Sequence, residues 1–141
     1  ELAKAITNEI RRGNRIDTTT KLRNVIEKTL DFLPNNKEKK DIIKKTCQRT
    51  FQALRIDVNN EFEVLYEFME KLPGALKPGG RVAILTFHSG EDKLVKKALK
   101  AGYKEGIYSE YARDVVRPSA QECAQNGRAR STKMRWAVKA E

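Results

Sequence analysis

The only histidine of this chain, His88, lies in the run Phe87-His88-Ser89, with Glu91-Asp92 close behind it. An imidazole can donate or accept a proton near neutral pH, a serine hydroxyl can orient a polar substrate, and carboxylates can hold either in place. The run follows Val82-Ala83-Ile84-Leu85-Thr86, a short apolar stretch without polar alternation that predicts a strand covered on both faces, as in parallel α/β sheets. Sites in such sheets lie at the carboxyl ends of strands. The two cysteines, Cys47 and Cys123, stand far apart and have neither metal-site spacing nor the density of a disulfide scaffold, so free thiols and no metal centre are expected.

The elements that must position these groups are legible from periodicity. Leu2, Ala5, Ile6 and Ile10 predict a helix over residues 2–12 that stops at Gly13. Leu22, Val25, Ile26 and Leu30 predict a second, capped by a residue among Thr18–Thr20 and ended at Pro34. Ile42, Ile43, Cys47, Phe51 and Leu54 predict a third, starting near Lys37, with a largely basic exposed surface. Beyond Asp57-Val58-Asn59-Asn60, the residues Phe62, Leu65, Phe68, Met69 and Leu72 predict a helix running to Pro73 or somewhat beyond, which leads through Lys77-Pro78-Gly79-Gly80 into the strand, and another spans about Glu91–Lys100, closed by Gly102. Residues 108–116 and 132–138 read as two further strands, joined by a short helical turn and the basic loop Asn126–Arg130.

Composition narrows the function classes. Twenty-nine basic against nineteen acidic residues leave a net charge of +10, which favours a polyanionic partner, nucleic acid before membrane. No apolar run is long enough to span a bilayer and no secretory leader is visible, so a cytoplasmic location is expected. A first residue Glu1 rather than Met is read as the start of a segment within a longer product or behind a cleaved tag. No strand followed by a Gly-rich phosphate or nucleoside loop precedes Val82.

Three ordered blocks carry a family resemblance: Arg49–Ile56 with Val58-Asn59 and Glu61; Leu76–Arg81 with Phe87-His88-Ser89 and Glu91-Asp92; and Arg117-Pro118-Ser119 with Asn126–Ser131. They resemble the RTFQALRI, LKPGGR-to-FHS and closing PS and NPRARS segments of the bacterial MraW/RsmH family, small-subunit ribosomal RNA cytosine-N4 methyltransferases that use S-adenosylmethionine. The resemblance runs from about Arg49 to the end, with a looser fit before it. Gly90 stands where that family usually has leucine and Gly127 where it has proline, each giving the backbone more freedom.

What the resemblance implies is an α/β fold: the last strands only of a truncated class I methyltransferase (Rossmann-like) sheet, preceded by a helical insert. Residues 1–46 would form the substrate-recognition insert and 47–141 the C-terminal part of the methyltransferase domain. The front half, with its Gly-rich S-adenosylmethionine loop, is absent, so cofactor-binding residues cannot be named. The exocyclic amine of cytosine is a poor nucleophile that must be aligned with the methyl donor, and it needs no strong base once methylated. His88, Ser89 and Asn59 are therefore the candidate catalytic residues, in orienting roles. Arg49, Gln52, Arg55, Arg128, Arg130, Lys133 and Arg135 are the candidates for RNA, the last two sharing one strand face by alternate spacing. Trp136 and Tyr111 are read as core before base-stacking platforms.

The expected partner is ribosomal RNA of the small subunit, with no membrane role. The strand at 82–87 should have lost the neighbour that the front half would provide, and should pair with a second copy or with an amino-terminal fragment, or have that edge covered by the chain's own helices. The alternative function is a stand-alone RNA-binding or interaction module that has lost catalysis.

Overall fold

A computed structural model describes all residues 1–141, and they divide into two compact units, Glu1–Asn59 and Asn60–Glu141.

The first unit holds three helices: α1 (Leu2–Arg11), α2 (Thr19–Thr29) and α3 (Lys37–Asn59). Each begins or ends where side-chain chemistry dictates. Asn14 N–H reaches the Glu9 carbonyl and Gly13 N–H that of Ile10, closing α1 in a Schellman turn at Gly13, whose φ of 84° suits glycine. Thr18 Oγ1 accepts the Lys21 N–H at the start of α2, and Asn36 Oδ1 accepts the Lys39 N–H at the start of α3. Packing centres on Leu22 and Ile26 of α2, the only buried side chains here, with α1 and α3 against α2. The basic α3 continues through Asp57 to Asn59, beyond its expected apolar stripe, and carries the chain past residues 46 and 47 without a break.

The second unit contains α4 (Glu61–Ala75), β1 (Arg81–Thr86), α5 (Ser89–Lys104), β2 (Tyr108–Tyr111), α6 (Ala120–Gln125), a 3₁₀ turn (Gly127–Ser131) and β3 (Lys133–Lys139). Lys77-Pro78-Gly79-Gly80 forms a tight turn, Gly80 N–H donating to the Lys77 carbonyl at 2.8 Å. Gly79 has φ 71° there, and a Cβ on Gly80 would lie 2.7 Å from the Lys77 oxygen, so both glycines are required. The Lys139 ammonium donates to the Pro73 and Leu76 carbonyls at the end of α4.

The sheet has the order β1-β3-β2 and is antiparallel throughout, with Ala83 opposite Trp136, Leu85 opposite Met134 and Tyr111 opposite Ala137. The last strand is thus inserted between its two predecessors. Met69 and Leu72 of α4, Val95 and Leu99 of α5, Tyr108 and Ala137 form the core, flanked by Val82 and Ile84. Two expectations are corrected. Strand β1 is not part of a parallel arrangement within this unit, and it is covered on one face only: Val82, Ile84 and Thr86 turn inward while Arg81, Ala83 and Leu85 are exposed. Gly102 does not close α5. It is buried inside that helix against the Tyr108 ring, and the Schellman turn comes at Gly106, with φ 76° and an Ile107 N–H to Gly102 carbonyl bond.

Candidate functional site: the β1–α5 turn and the basic surfaces

His88 caps α5. Its Nδ1 accepts the Glu91 N–H at 3.3 Å, which leaves the ring proton on Nε2. Glu91 answers in the other direction, Oε2 accepting the Phe87 N–H at 3.2 Å. The pair is a reciprocal capping box displaced by one residue from its usual form. His88 Nε2 lies 3.3 Å from Glu91 Oε1, yet it is buried and misses hydrogen-bond alignment, so its proton has no well-placed acceptor.

Glu61 contributes a third donor, the nearest atoms of Glu61, His88 and Glu91 all falling within 4.8 Å of one another. A cation there would need the Nε2 lone pair. Freeing it puts the proton on Nδ1, facing the Glu91 N–H, so this donor set suits a proton network better than a metal centre.

Phe62 stands edge-on to the imidazole, centroids 5.7 Å apart and planes at 90°. Gly90 makes that approach possible, since a Cβ at this position would lie 2.7 Å from Phe62 Cζ and 3.2 Å from His88 Nδ1. The glycine that the sequence suggested would loosen a loop therefore sits in the first turn of α5 and admits an aromatic ring. Ser89, the first residue of α5, is exposed; Asn59 ends α3 in the other unit, and Asn60, not Asn59, occupies the cap position of α4.

On α3, Arg49, Gln52 and Arg55 share one shallow concavity of about 570 Å³ with Lys45, Gln48 and Phe51. The i, i+3, i+4, i+7 spacing carried that signal, and Lys45 and Gln48 could have been found by it. Arg128 and Arg130 are exposed on either side of buried Ala129 in the 3₁₀ turn, where Asn126 Oδ1 accepts the Arg128 N–H.

Arg135 is a correction. It shares a strand face with Lys133, but that face is the one packed on α5, and Arg135 is 5% exposed. Its Nε and Nη2 bind the Asp92 carboxylate at 2.7 and 3.2 Å, while Nη1 donates to the Arg113 carbonyl. The Arg135 hydrogen bonds hold the Asp92 carboxyl below the usual carboxylate range against the opposing effect of burial, with the charges of Arg135, Lys133 and Lys96 acting in the same sense as the bonds. With three internal hydrogen bonds and almost no exposed surface, this guanidinium is unavailable to phosphate. Tyr111 packs against Tyr103, centroids 5.0 Å apart, and flanks the core, whereas Trp136 is half-buried on the other face of the sheet, across from exposed Ala83, and not in the core as expected.

S-adenosylmethionine, the cofactor that the resemblance implies, does not fit the residues present. The one strand-to-helix turn is closed by the His88 and Glu91 side chains, and the Gly79-Gly80 turn precedes its strand instead of following it. No helix is long and apolar enough to cross a membrane.

Comparison with known proteins bears on this arrangement. Ribosomal RNA small subunit methyltransferase H 1 of Agathobacter rectalis is 88% identical over 141 residues, covering all of this chain and 40% of that protein. The Lachnoclostridium phytofermentans protein of the same name is 71% identical over 140 residues, 99% of this chain and 38% of its own length. Ribosomal RNA small subunit methyltransferase H 2 of Acholeplasma laidlawii is 50% identical over 139 residues, 99% of this chain and 40% of its own. The chain thus spans about 40% of the length of these relatives. The model of the MraW methylase family matches residues 1–140, and the chain belongs to that family.

Proposed function

We propose that this chain is the substrate-facing portion of an S-adenosylmethionine-dependent methyltransferase acting on the exocyclic N4 of a cytosine in small-subunit ribosomal RNA. On this reading it is inactive without the cofactor-holding remainder of the polypeptide. The supporting observation is the combination of a family match over residues 1–140 with a sheet that offers no seat for the methyl donor. Within the second unit His88 and Ser89 at the start of α5 orient the base and Arg128, Arg130 and Lys133 hold RNA; within the first, Arg49, Gln52 and Arg55 hold RNA and Asn59, at the end of α3, is a further candidate for orientation. Orientation is the service a weakly nucleophilic amine needs most.

The open edge of β1, with Ala83 and Leu85 exposed beside it, is the place where that remainder pairs. A second copy of this chain is the competing occupant.

Calorimetry of the chain with S-adenosylmethionine and with a small-subunit ribosomal RNA hairpin tests the reading. Binding of RNA but not of cofactor is expected. Tight cofactor binding by this chain alone would overturn the division of labour, and binding of neither would remove the RNA role.

A further inference from the structure

The strongest charged feature of the second unit lies along one face of α5. Helix α5 carries Lys93, Lys96, Lys97, Lys100 and Lys104, all exposed. At 3.6 residues per turn these five fall within an arc of about 100°. From Lys93 onward, every position of α5 in that arc is a lysine. The stripe runs roughly 16 Å along the helix at 1.5 Å per residue.

Three observations set it apart from an ordinary solvated face. Four cations elsewhere on this chain find acids a turn away: Lys21 pairs with Asp17, Arg23 with Glu27, Lys71 with Glu67 and Arg12 with Glu9. No lysine of α5 stands within ion-pair distance of a carboxylate, only the charge of Lys96 being felt at Asp92, and the two acids that open the helix bond elsewhere, Glu91 with Phe87 and His88, Asp92 with Arg135. The lysines also crowd one another. Lys93–Lys97, Lys96–Lys100 and Lys100–Lys104 are at i,i+4, and Lys93–Lys96 and Lys97–Lys100 at i,i+3, spacings at which like charges destabilise a helix. A polyanion laid along the stripe removes that repulsion and releases its own counterions. Finally, the opposite side of α5 is spent in the core, Val95 and Leu99 being fully buried, so the helix has no apolar face to insert into a lipid surface.

We propose that α5 is a second RNA-binding surface, a lysine rail that grips the phosphate backbone irrespective of sequence and supplements the concavity on α3. The inference rests on the reading of RNA as the partner and deepens it. Lysine on a flexible stem serves this purpose as a point charge that follows a phosphate ladder without fixing base identity. Over 16 Å a duplex presents on the order of ten phosphates, at one charge per 1.7 Å of axis, more than enough to engage all five ammonium groups.

The test compares this chain with the triple variant Lys93→Gln, Lys97→Gln, Lys100→Gln, glutamine preserving helix propensity. Fluorescence anisotropy against a labelled small-subunit ribosomal hairpin and an unrelated hairpin of equal length, across a salt series, reads affinity and its salt slope. The variant is expected to lose about tenfold in affinity at low salt, equally for both RNAs, and its log–log salt slope to shrink by about 2. Its far-UV circular dichroism should be unchanged. Equal affinity and an unchanged slope in the variant would overturn the rail while leaving the RNA reading intact. Failure of the unsubstituted chain to bind either hairpin would take both down. Binding to phosphatidylglycerol vesicles without binding to RNA would overturn the rail in favour of a membrane surface.

Discussion

The Arg135 guanidinium closes a two-pronged contact on the Asp92 carboxylate, Nε–Oδ1 2.7 Å and Nη2–Oδ2 3.2 Å, and so ties the central strand β3 to the first turn of α5. Arg135 is 6% exposed and Asp92 14% by side chain, so neither charge can fall back on water if its partner is removed. Arg135→Ala is expected to destabilise the second unit by about 3 to 5 kcal/mol, measured by urea denaturation. The pair replacement Arg135→Met with Asp92→Leu should cost much less, because it leaves no orphaned charge behind.

The same contact sets an acid limit. Arg135 depresses the folded-state pKa of Asp92 below its unfolded value of 3.8, so as pH falls the unfolded chain binds this proton first. The stabilisation is present above about pH 4 and drains away as pH drops through the folded value. Urea midpoints taken from pH 6 to pH 3 should fall, and Asp92→Asn should flatten that fall while lowering stability near neutrality.

Gly102 has its missing Cβ 2.5 Å from two carbons of the Tyr108 ring, which is 3% exposed and has nowhere to go. Gly102→Ala should therefore destabilise by about 1 to 3 kcal/mol despite the better helix propensity of alanine. The thermal midpoint reports it. Gly106→Ala, at a positive φ with open space around it, should be destabilising through backbone strain alone.

His88 separates a structural from a functional role. His88→Ala removes a cap and should lower stability by about 1 kcal/mol, whereas His88→Asn keeps a side-chain acceptor for the Glu91 N–H and should restore most of it. If the imidazole orients the base, the asparagine variant of the complete enzyme still loses about 10²-fold in methyl transfer. Full activity with restored stability would reduce His88 to its capping role.

The edge of β1 gives a fifth outcome. Light scattering of this chain should show mass rising with concentration, and Leu85→Lys, which places a charge on the exposed face beside the unpaired edge, should suppress the rise.

Much of this architecture was legible in the sequence because periodicity and punctuation agreed locally. Thr18, Gly13 and the Pro78-Gly79-Gly80 turn do what their chemistry says, and β1 and β3 lie close to where their apolar patterns place them. The misreadings have one physical origin. Alternate spacing tells that Lys133 and Arg135 share a strand face but not which face is packed, and only the tertiary partner Asp92, 43 residues away, decides it. Likewise Gly102 carries the mark of a helix stop, yet a ring from β2 explains it. Of the candidate site, the α3 residues came together through helical spacing, whereas the approach of Phe62 to His88 across Gly90 depends on a long-range fold that no local pattern encodes.

The placement of β3 between β1 and β2 has a kinetic consequence. Both outer strands leave the ribosome before the strand that joins them, so the sheet cannot assemble progressively behind the exit tunnel and waits for Lys133–Lys139. Until then the apolar stretch of β1 has no hydrogen-bonding neighbour from this sheet, and its closure spans some fifty residues of chain. Until its middle strand arrives, the nascent segment carries an apolar strand with both edges open, the part of this unit most prone to pair with other chains during synthesis.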